Sequence, residues 1–391
     1  MTFKIFIVSG EHSGDAIGSK LMDALGKISE HPIVFSGVGG ELMAERGLQS
    51  IFPLSDVAVM GPLSILPKLP RIVRRVYQTV DAALEADPDL VVIIDSPEFT
   101  HPIAKRIRKK RPDIPIIDYV SPTVWAWRPG RARKMKPYVD HLLALLPFEP
   151  EAHARLGGPP CTYVGHLLIE RLEWIQSLNP EALAIRLKLD PAATPVLVLP
   201  GSRSSEVERL LDVFGDTIVK LTGQGRTLEV LLPSVSHLRD EISERTSSWP
   251  VRVHMLDGET DKFTAFRLAR AALAASGTVT LELGLVGTPM VVGYRVDPIA
   301  ARLKFLVTAE TIVLANLVLG EKVFPEFIQE DCNADALAGA MSDILDSGPA
   351  REKQLVALDK IAANLALPSG TPSERAAQIV LEHLMSSTKA N

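Results

Sequence analysis

Ile5-Phe6-Ile7-Val8-Ser9-Gly10-Glu11-His12-Ser13-Gly14-Asp15 is the stretch that decides the fold. Four apolar residues in a row read as a strand buried on both faces, and helical spacing resumes at Ile17, Leu21 and Leu25. The pattern returns mid-chain, where Val196-Leu197-Val198-Leu199 meets Pro200-Gly201-Ser202-Arg203 and a helix opens at Val207, Leu210 and Leu211. In both loops glycine lets the backbone approach a ligand, and the free amides of a helix start attract anions. The recurrence predicts two nucleotide-fold halves facing one cleft.

Outward from these two loops the chain alternates strand and helix. Strands are expected at Lys4–Val8, Ile33–Gly37, Leu90–Ile94, Ile116–Val120, His141–Leu145 and Thr162–Val164. A second series follows at Val196–Leu199, Glu229–Leu232, Val251–Met255, Ala272–Ala275 and Met290–Tyr294. Continuous Val/Ile/Leu runs suit parallel strands, so the fold class is α/β with two doubly wound, Rossmann-like domains joined near residue 170. Ligands of such sheets bind at the carboxyl ends of the strands.

At 391 residues and 46% hydrophobic, the chain can bury two cores. A formal charge of -5 argues against a general nucleic-acid binder. Cys161 and Cys332 have no metal-type spacing and suggest a reduced, cytosolic chain without disulfides. The N-terminal apolar run is too short for a signal peptide, and the Ala271–Gly293 stretch is broken by Gly277, Glu282, Gly284, Gly287 and Pro289, as in a soluble core.

Asp95 follows the Leu90–Ile94 run directly and so falls on the ligand edge of its sheet. It suits a general base for a substrate hydroxyl, and equally a turn former, because Asp-Ser-Pro is good turn chemistry. Asp87-Pro88-Asp89 has the spacing of a metal pair but precedes the strand, at the opposite edge, and reads as a turn. No other cluster has metal spacing, so metal-free chemistry without a cofactor is expected, with cations and helix ends meeting any departing phosphate. Arg203 is placed for that in the Gly201-Ser202-Arg203 turn; the alternative is a surface pair with Glu206. Ala275-Ser276-Gly277-Thr278 repeats the logic, with amides for a diphosphate and Glu282 one helical turn inside for the hydroxyls of a ribose.

Tyr119 to Arg131 holds Trp125 and Trp127, two of four tryptophans, and is followed by Arg133, Lys134 and Lys136. It suits an acceptor site in which aromatics meet a sugar or acyl group and cations hold a phosphate, or a packed loop backed by a solvated basic helix. Gly61 to Arg75 mixes Leu63, Ile65, Leu66 and Leu69 with Lys68, Arg71, Arg74 and Arg75. Such a segment can dip into an anionic membrane surface or cover the first core as loop and amphipathic helix.

Together with Gly37-Val38-Gly39-Gly40, Ala58-Val59-Met60-Gly61, Leu146-Pro147-Phe148-Glu149, Val164-Gly165-His166 and Val291-Val292-Gly293-Tyr294-Arg295, these segments resemble, in order and over nearly the whole chain, the lipid-A-disaccharide synthase family. The resemblance implies a GT-B glycosyltransferase, with residues 1–168 binding the acceptor, 169–365 binding the UDP-sugar and 366–391 forming a helix that crosses back to the first domain. It implies the substrates UDP-2,3-diacylglucosamine and 2,3-diacylglucosamine 1-phosphate (lipid X), joined as a β-1,6 disaccharide with release of UDP. The place would be the cytoplasmic face of a Gram-negative inner membrane, as a peripheral enzyme, and a homodimer is allowed.

Residue by residue, the family's essential aspartate falls on Asp95 and its essential arginine on Arg203. The UDP-sugar would meet Gly201, Ser202, Arg203, Leu256, Ser276, Gly277, Thr278, Glu282 and Asn316. The acceptor would meet Gly10, Ser13, Gly14, Trp127, Arg128 and Arg131. Membrane contact would come from Leu63, Ile65, Leu66, Lys68, Leu69 and Arg71. His12 stands where the family has alanine, and Ser96 and Glu98 where it has alanine and aspartate. Two other readings remain: a UDP-sugar epimerase of the same architecture, and a non-catalytic nucleotide- or lipid-binding protein. A dinucleotide oxidoreductase fits less well, because no Gly-x-Gly-x-x-Gly follows the first strand.

Overall fold

A computed structural model of the chain describes residues 2–58, 68–296 and 310–388. It forms two compact units. One runs to Leu167 and takes up the chain again from Leu367; the other is Leu168–Ala366.

In the first unit, β1 (Phe3–Ser9), β2 (Ile33–Val38), β3 (Leu90–Ile94), β4 (Ile116–Tyr119), β5 (His141–Ala144) and β6 (Cys161–Tyr163) form one parallel sheet in the order β2-β1-β3-β4-β5-β6. The side chains of β1 alternate between two cores. Ile5 and Ile7 face one that includes Leu21 and Leu25 of the His12–Ile28 helix, while Phe6 and Val8 face one that includes Val76 and Val80 of the Leu69–Ala86 helix. Both faces are thus covered, and burying each such side chain contributes roughly 1.5–3 kcal/mol. The Pro372–Thr388 helix packs on the His12–Ile28 helix and adds Ala376, Ala377, Val380 and Leu384 to the first of these cores.

In the second unit, β7 (Thr194–Leu199), β8 (Leu228–Pro233), β9 (Arg252–Leu256), β10 (Ala271–Ala274), β11 (Met290–Tyr294) and β12 (Glu326–Ile328) are parallel in the order β12-β11-β10-β7-β8-β9. Val196, Val198, Val230, Val291 and Leu273 face a core with Leu210, Phe214 and Ile218 of the Ser204–Gly223 helix. In each sheet the strand order reverses once, between β1 and β3 and between β7 and β10. At such a switch point the loops leave in opposite directions and open a crevice at the carboxyl edge.

Candidate active site

The switch point of the first sheet is where Asp95 and the Ser9–Ser13 loop meet. Leu90–Ile94 is fully buried, so the chain reaches the sheet edge at Asp95 and there adopts left-handed backbone at two consecutive residues, φ 53° at Asp95 and 45° at Ser96. The Asp95 carboxylate is oriented by two donors. The Ser96 amide donates to Oδ1 at 2.7 Å, and Ser13 Oγ donates to Oδ2 at 3.3 Å. Thr100 Oγ1 donates to the Asp95 carbonyl at 2.7 Å, tying the turn to the Pro97–Lys110 helix.

Gly10 and Gly14 serve this geometry by being small. A Cβ on Gly10 would stand 2.5 Å from Ser96 Cβ, and one on Gly14 would stand 2.6 Å from Ser9 Oγ. In the first loop Ser13 reaches Asp95 with its side chain, and His12 is exposed. Asp15, which carried no site reading, is buried and accepts amides from Gly40, Leu42 and Met43 at 2.7, 3.0 and 3.1 Å, holding the Glu41–Ala44 helix to the first loop.

The tryptophan segment divides its work. Trp125 donates from Nε1 to Glu149 Oε1 at 3.1 Å, and Glu149 Oε2 accepts the Leu146 amide at 3.0 Å. Burial pushes the Glu149 carboxyl up to about 7. Ser121 Oγ lies 2.9 Å from His153 Nε2, and burial pushes that imidazole down to about 4. Trp127 instead supports a cation, with the Arg128 guanidinium 4.2 Å from its ring centre. Arg131 donates to Glu98 Oε1 at 2.7 Å.

Beneath this loop lies a polar chain that sequence reasoning missed. His101 Nε2 is 3.1 Å from Asp118 Oδ2, and His101 Nδ1 is 3.1 Å from the Tyr138 hydroxyl. Burial raises the Asp118 carboxyl above its ordinary range; His101 opposes the rise and the nearby Asp95 charge adds to it. A carboxylate inside the apolar Ile116–Tyr119 run was the available signal, because buried carboxylates need partners.

The second sheet's switch point opens a cavity of about 750 Å³ along the carboxyl ends of β7, β8, β9 and β10. It gathers Gly201, Ser202, Arg203, Leu256, Ser276, Gly277, Thr278 and Glu282 from the expected set. Arg203 Nη1 is 3.2 Å from Glu206 Oε1, so the surface pair exists, yet the arginine side chain is 57% exposed and lines the cavity. Glu206 also accepts the Ser202 amide at 3.1 Å, which shapes the turn. Gly277, with φ 148°, precedes the Thr278–Val286 helix, whose first amides have no intrahelical acceptor. Ser276 Oγ donates to the Ile312 carbonyl at 2.7 Å, so its hydroxyl hydrogen holds the loop and is not aimed at a ligand.

One residue has a partner that the sequence did not show, and one is placed differently from expectation. Glu282 lines the cavity with Lys262 Nζ 2.6 Å from its Oε2, and the same ammonium sits 5.1 Å from the Phe263 ring centre. Asn316 does not line the cavity. It is buried, its Nδ2 donates to the Phe324 carbonyl at 2.9 Å, and its Oδ1 accepts the amides of Val323 and Phe324 at 3.0 and 2.9 Å. Its amide is used up in holding a return of the chain.

In the Gly61–Arg75 segment, Leu63, Ile65 and Leu66 lie outside the described residues. Lys68 and Arg71 are exposed, Leu69 is 47% exposed, and Arg71 Nη1 is 3.5 Å from Asp56 Oδ1. No helix among the described residues is long and apolar enough to cross a membrane, and no three His, Cys, Asp or Glu side chains among them converge as metal ligands do.

Among solved structures, UDP-GlcNAc 2-epimerase from Neisseria meningitidis bound to UDP-GlcNAc superimposes with a TM-score of 0.67 at 14% identity, covering 98% of this chain and 100% of that one. MurG of Acinetobacter baumannii gives 0.57 at 11% identity, covering 98% and 99%. These show the fold alone, the two-domain α/β architecture of GT-B proteins.

Sequence relatives reach further. Lipid-A-disaccharide synthase of Nitrobacter hamburgensis is 49% identical over 98% of this chain and 96% of its own length. That of Rhodospirillum centenum is 44% identical over 96% and 94%, and that of Ruegeria pomeroyi 38% over 97% and 95%. A family model described as lipid-A-disaccharide synthetase matches residues 5–380, which takes in both switch points and the first half of the returning helix. On that match the chain belongs to the lipid-A-disaccharide synthase family of glycosyltransferases.

Proposed function

We propose that the protein transfers 2,3-diacylglucosamine from UDP to the 6-hydroxyl of 2,3-diacylglucosamine 1-phosphate, giving the β-1,6 disaccharide 1-phosphate and UDP. The observation that carries the reading is Asp95, a carboxylate at a sheet switch point, oriented by Ser13 and the Ser96 amide in a chain that the disaccharide synthase family matches over residues 5–380. Asp95 takes the proton of the acceptor hydroxyl as that oxygen bonds to the anomeric carbon of the donor. The bond from that carbon to the diphosphate breaks in the same displacement, and its electrons leave with UDP. One displacement inverts the α-linkage and requires a single base.

In the second unit Arg203 and the amides at Gly277 and Thr278 meet the charge that grows on the diphosphate. Glu282, fixed by Lys262, is assigned the ribose hydroxyls, and the turn from Leu256 to Gly258 the uracil. A cavity of about 750 Å³ is of the size that small-molecule sites have. The acyl chains of both substrates favour action at the cytoplasmic face of the inner membrane. Leu69, Val73 and Tyr77, four residues apart on one helix and 47, 44 and 52% exposed, support a membrane-facing stripe beside Arg71 and Arg74.

The test is incubation of the protein with both substrates in mixed micelles, following lipid and nucleotide products. Disaccharide 1-phosphate and UDP in equal amounts are expected. Isomerised UDP-sugar without UDP release would mark an epimerase, and ligand binding without turnover a binding protein.

A further inference from the structure

The first unit holds a second cavity, of about 460 Å³, on the flank of the Asp95 turn. Pro97, two residues after Asp95, belongs to its wall, and the rest is mainly His101, Lys105, Arg128, Arg131, Lys134 and Tyr138. Four of these are permanent cations, gathered in a chain whose formal net charge is -5. Among the described residues, only Arg131 of the four has a carboxylate partner, Glu98. Lys105 is held 4.9 Å from the Tyr138 ring centre and Arg128 4.2 Å from that of Trp127, so aromatic faces position both cations without neutralising them. Arg128 keeps its place with left-handed backbone, φ 54°, a conformation that costs about 1–3 kcal/mol and concentrates at ligand clamps. The floor is set by His101, both of whose ring nitrogens are engaged, by Asp118 and Tyr138. Like charges brought together repel, and a bound dianion is what turns that repulsion into attraction.

We infer that this cavity binds the phosphate monoester on the acceptor's anomeric carbon, with Lys105 and Lys134 as specificity-determining cations beside Arg128 and Arg131. The inference rests on the acceptor assigned above. There the hydroxyl that loses its proton and the phosphate are borne by one pyranose ring, so base and phosphate site must be neighbours, as Asp95 and the Pro97 wall are. Guanidinium groups match two phosphate oxygens at once, while lysine ammonium groups add charge without fixed geometry. A phospholipid headgroup offers the same phosphate chemistry, and the experiment separates the two sources.

The variant is Lys105→Gln with Lys134→Gln, both at exposed positions. KM for 2,3-diacylglucosamine 1-phosphate should rise about tenfold per cation removed, with kcat little changed. The acceptor lacking phosphate should be used equally poorly by both proteins, and UDP affinity should not move. Lys105→Arg with Lys134→Arg should restore KM. In a titration that needs no turnover, glucosamine 1-phosphate should alter the tryptophan fluorescence of the wild type and not of the glutamine variant, because Arg128 stacks on Trp127. An unchanged KM, or equal losses with both acceptors, overturns the inference. So does weaker binding to phosphatidylglycerol vesicles while glucosamine 1-phosphate still binds, which would assign the cations to the bilayer. If the wild type consumes neither acceptor, the transfer reading falls, and the titration alone decides the cavity: equal responses of the two proteins reject it.

Discussion

The loops after β3 and β4 carry left-handed backbone on Asp95, Ser96, Val120 and Arg128, none of them glycine, whereas those after β7 and β10 carry it on Gly201 and Gly277. Non-glycine residues held there cost about 1–3 kcal/mol each, while glycine pays no such strain. On the roles proposed above, the difference follows from what each edge offers. An anion is received by backbone amides, which glycine exposes best; a proton is received by a side chain, which glycine lacks. The loops after β3 and β4 therefore store strain, and those after β7 and β10 do not, although Gln329, just past β12, is also left-handed at φ 57°.

The largest expected effect lies on the strained edge. Asp95→Asn should lower turnover on the order of 10²–10⁴-fold and leave UDP affinity unchanged, since an amide cannot take the proton. Arg203→Ala should instead weaken UDP binding and transfer together, on the order of tenfold to a hundredfold each, because its charge meets bound diphosphate and leaving group alike. Steady-state kinetics beside UDP titration would distinguish them. Near-normal turnover in folded Asp95→Asn would reduce that edge to a turn, and an indifferent Arg203→Ala would leave only the Glu206 pair.

Smaller effects test the backbone itself. Gly277→Ala should destabilise the second unit by about 1–3 kcal/mol; no atom of the described residues would meet the new Cβ, so the cost comes from φ 148°. Ser96→Gly should do the reverse in the first unit and stabilise it by about 1 kcal/mol. It relieves φ 45° and removes a buried hydroxyl that has no hydrogen-bond partner among the described residues. Urea unfolding of each variant checks the sign, and a destabilised Ser96→Gly would break the contrast.

The smallest effect is one of pH. Burial lowers His153 from 6.5 to about 4, so the unfolded chain takes up a proton that the folded protein refuses. That contribution is present above pH 6.5 and is lost as pH falls toward 4. His141 and His166, also in the first unit, are likewise lowered to about 4, largely by burial. Glu149, raised from 4.5 to about 7, works in the opposite sense across that window. His153→Gln should therefore make the fall in first-unit stability between pH 7 and 6 shallower, by less than about 1 kcal/mol in urea unfolding. An unaltered slope would mean that His153 does not titrate differently in the two states.

The strands were legible because parallel strands buried on both faces write themselves as apolar runs. Leu90–Ile94 and Met290–Tyr294 came out with their ends as expected. β12 was not foreseen, being three residues at a sheet edge with Pro325 before it and no run to read. Asp95, Arg203 and Gly277 were legible as candidates by position, since Asp95 follows β3 directly and the other two lie in the short loops after β7 and β10. Pairings between distant elements left no such mark. Nothing local to Glu282 points to Lys262, on the helix that precedes β10 in the chain, or to the chain return that consumes the Asn316 amide. Likewise the Lys105 and Lys134 cavity is made when two helices and the Arg128 turn meet, while each reads alone as solvated charge.

The return of the Pro372–Thr388 helix to the sheet begun by β1 has a consequence for synthesis. The polypeptide leaves the ribosome from its first residue onward, and the middle unit has all its strands and helices once Ala366 is out. The opening unit does not, because Ala376, Val380 and Leu384 fill the core beside Ile5 and Leu21. Until they emerge, the outer side of the His12–Ile28 helix stays bare, and the part made first is completed last. A premature stop near residue 366 would thus spare the half that was made later and cripple the half that was made earlier.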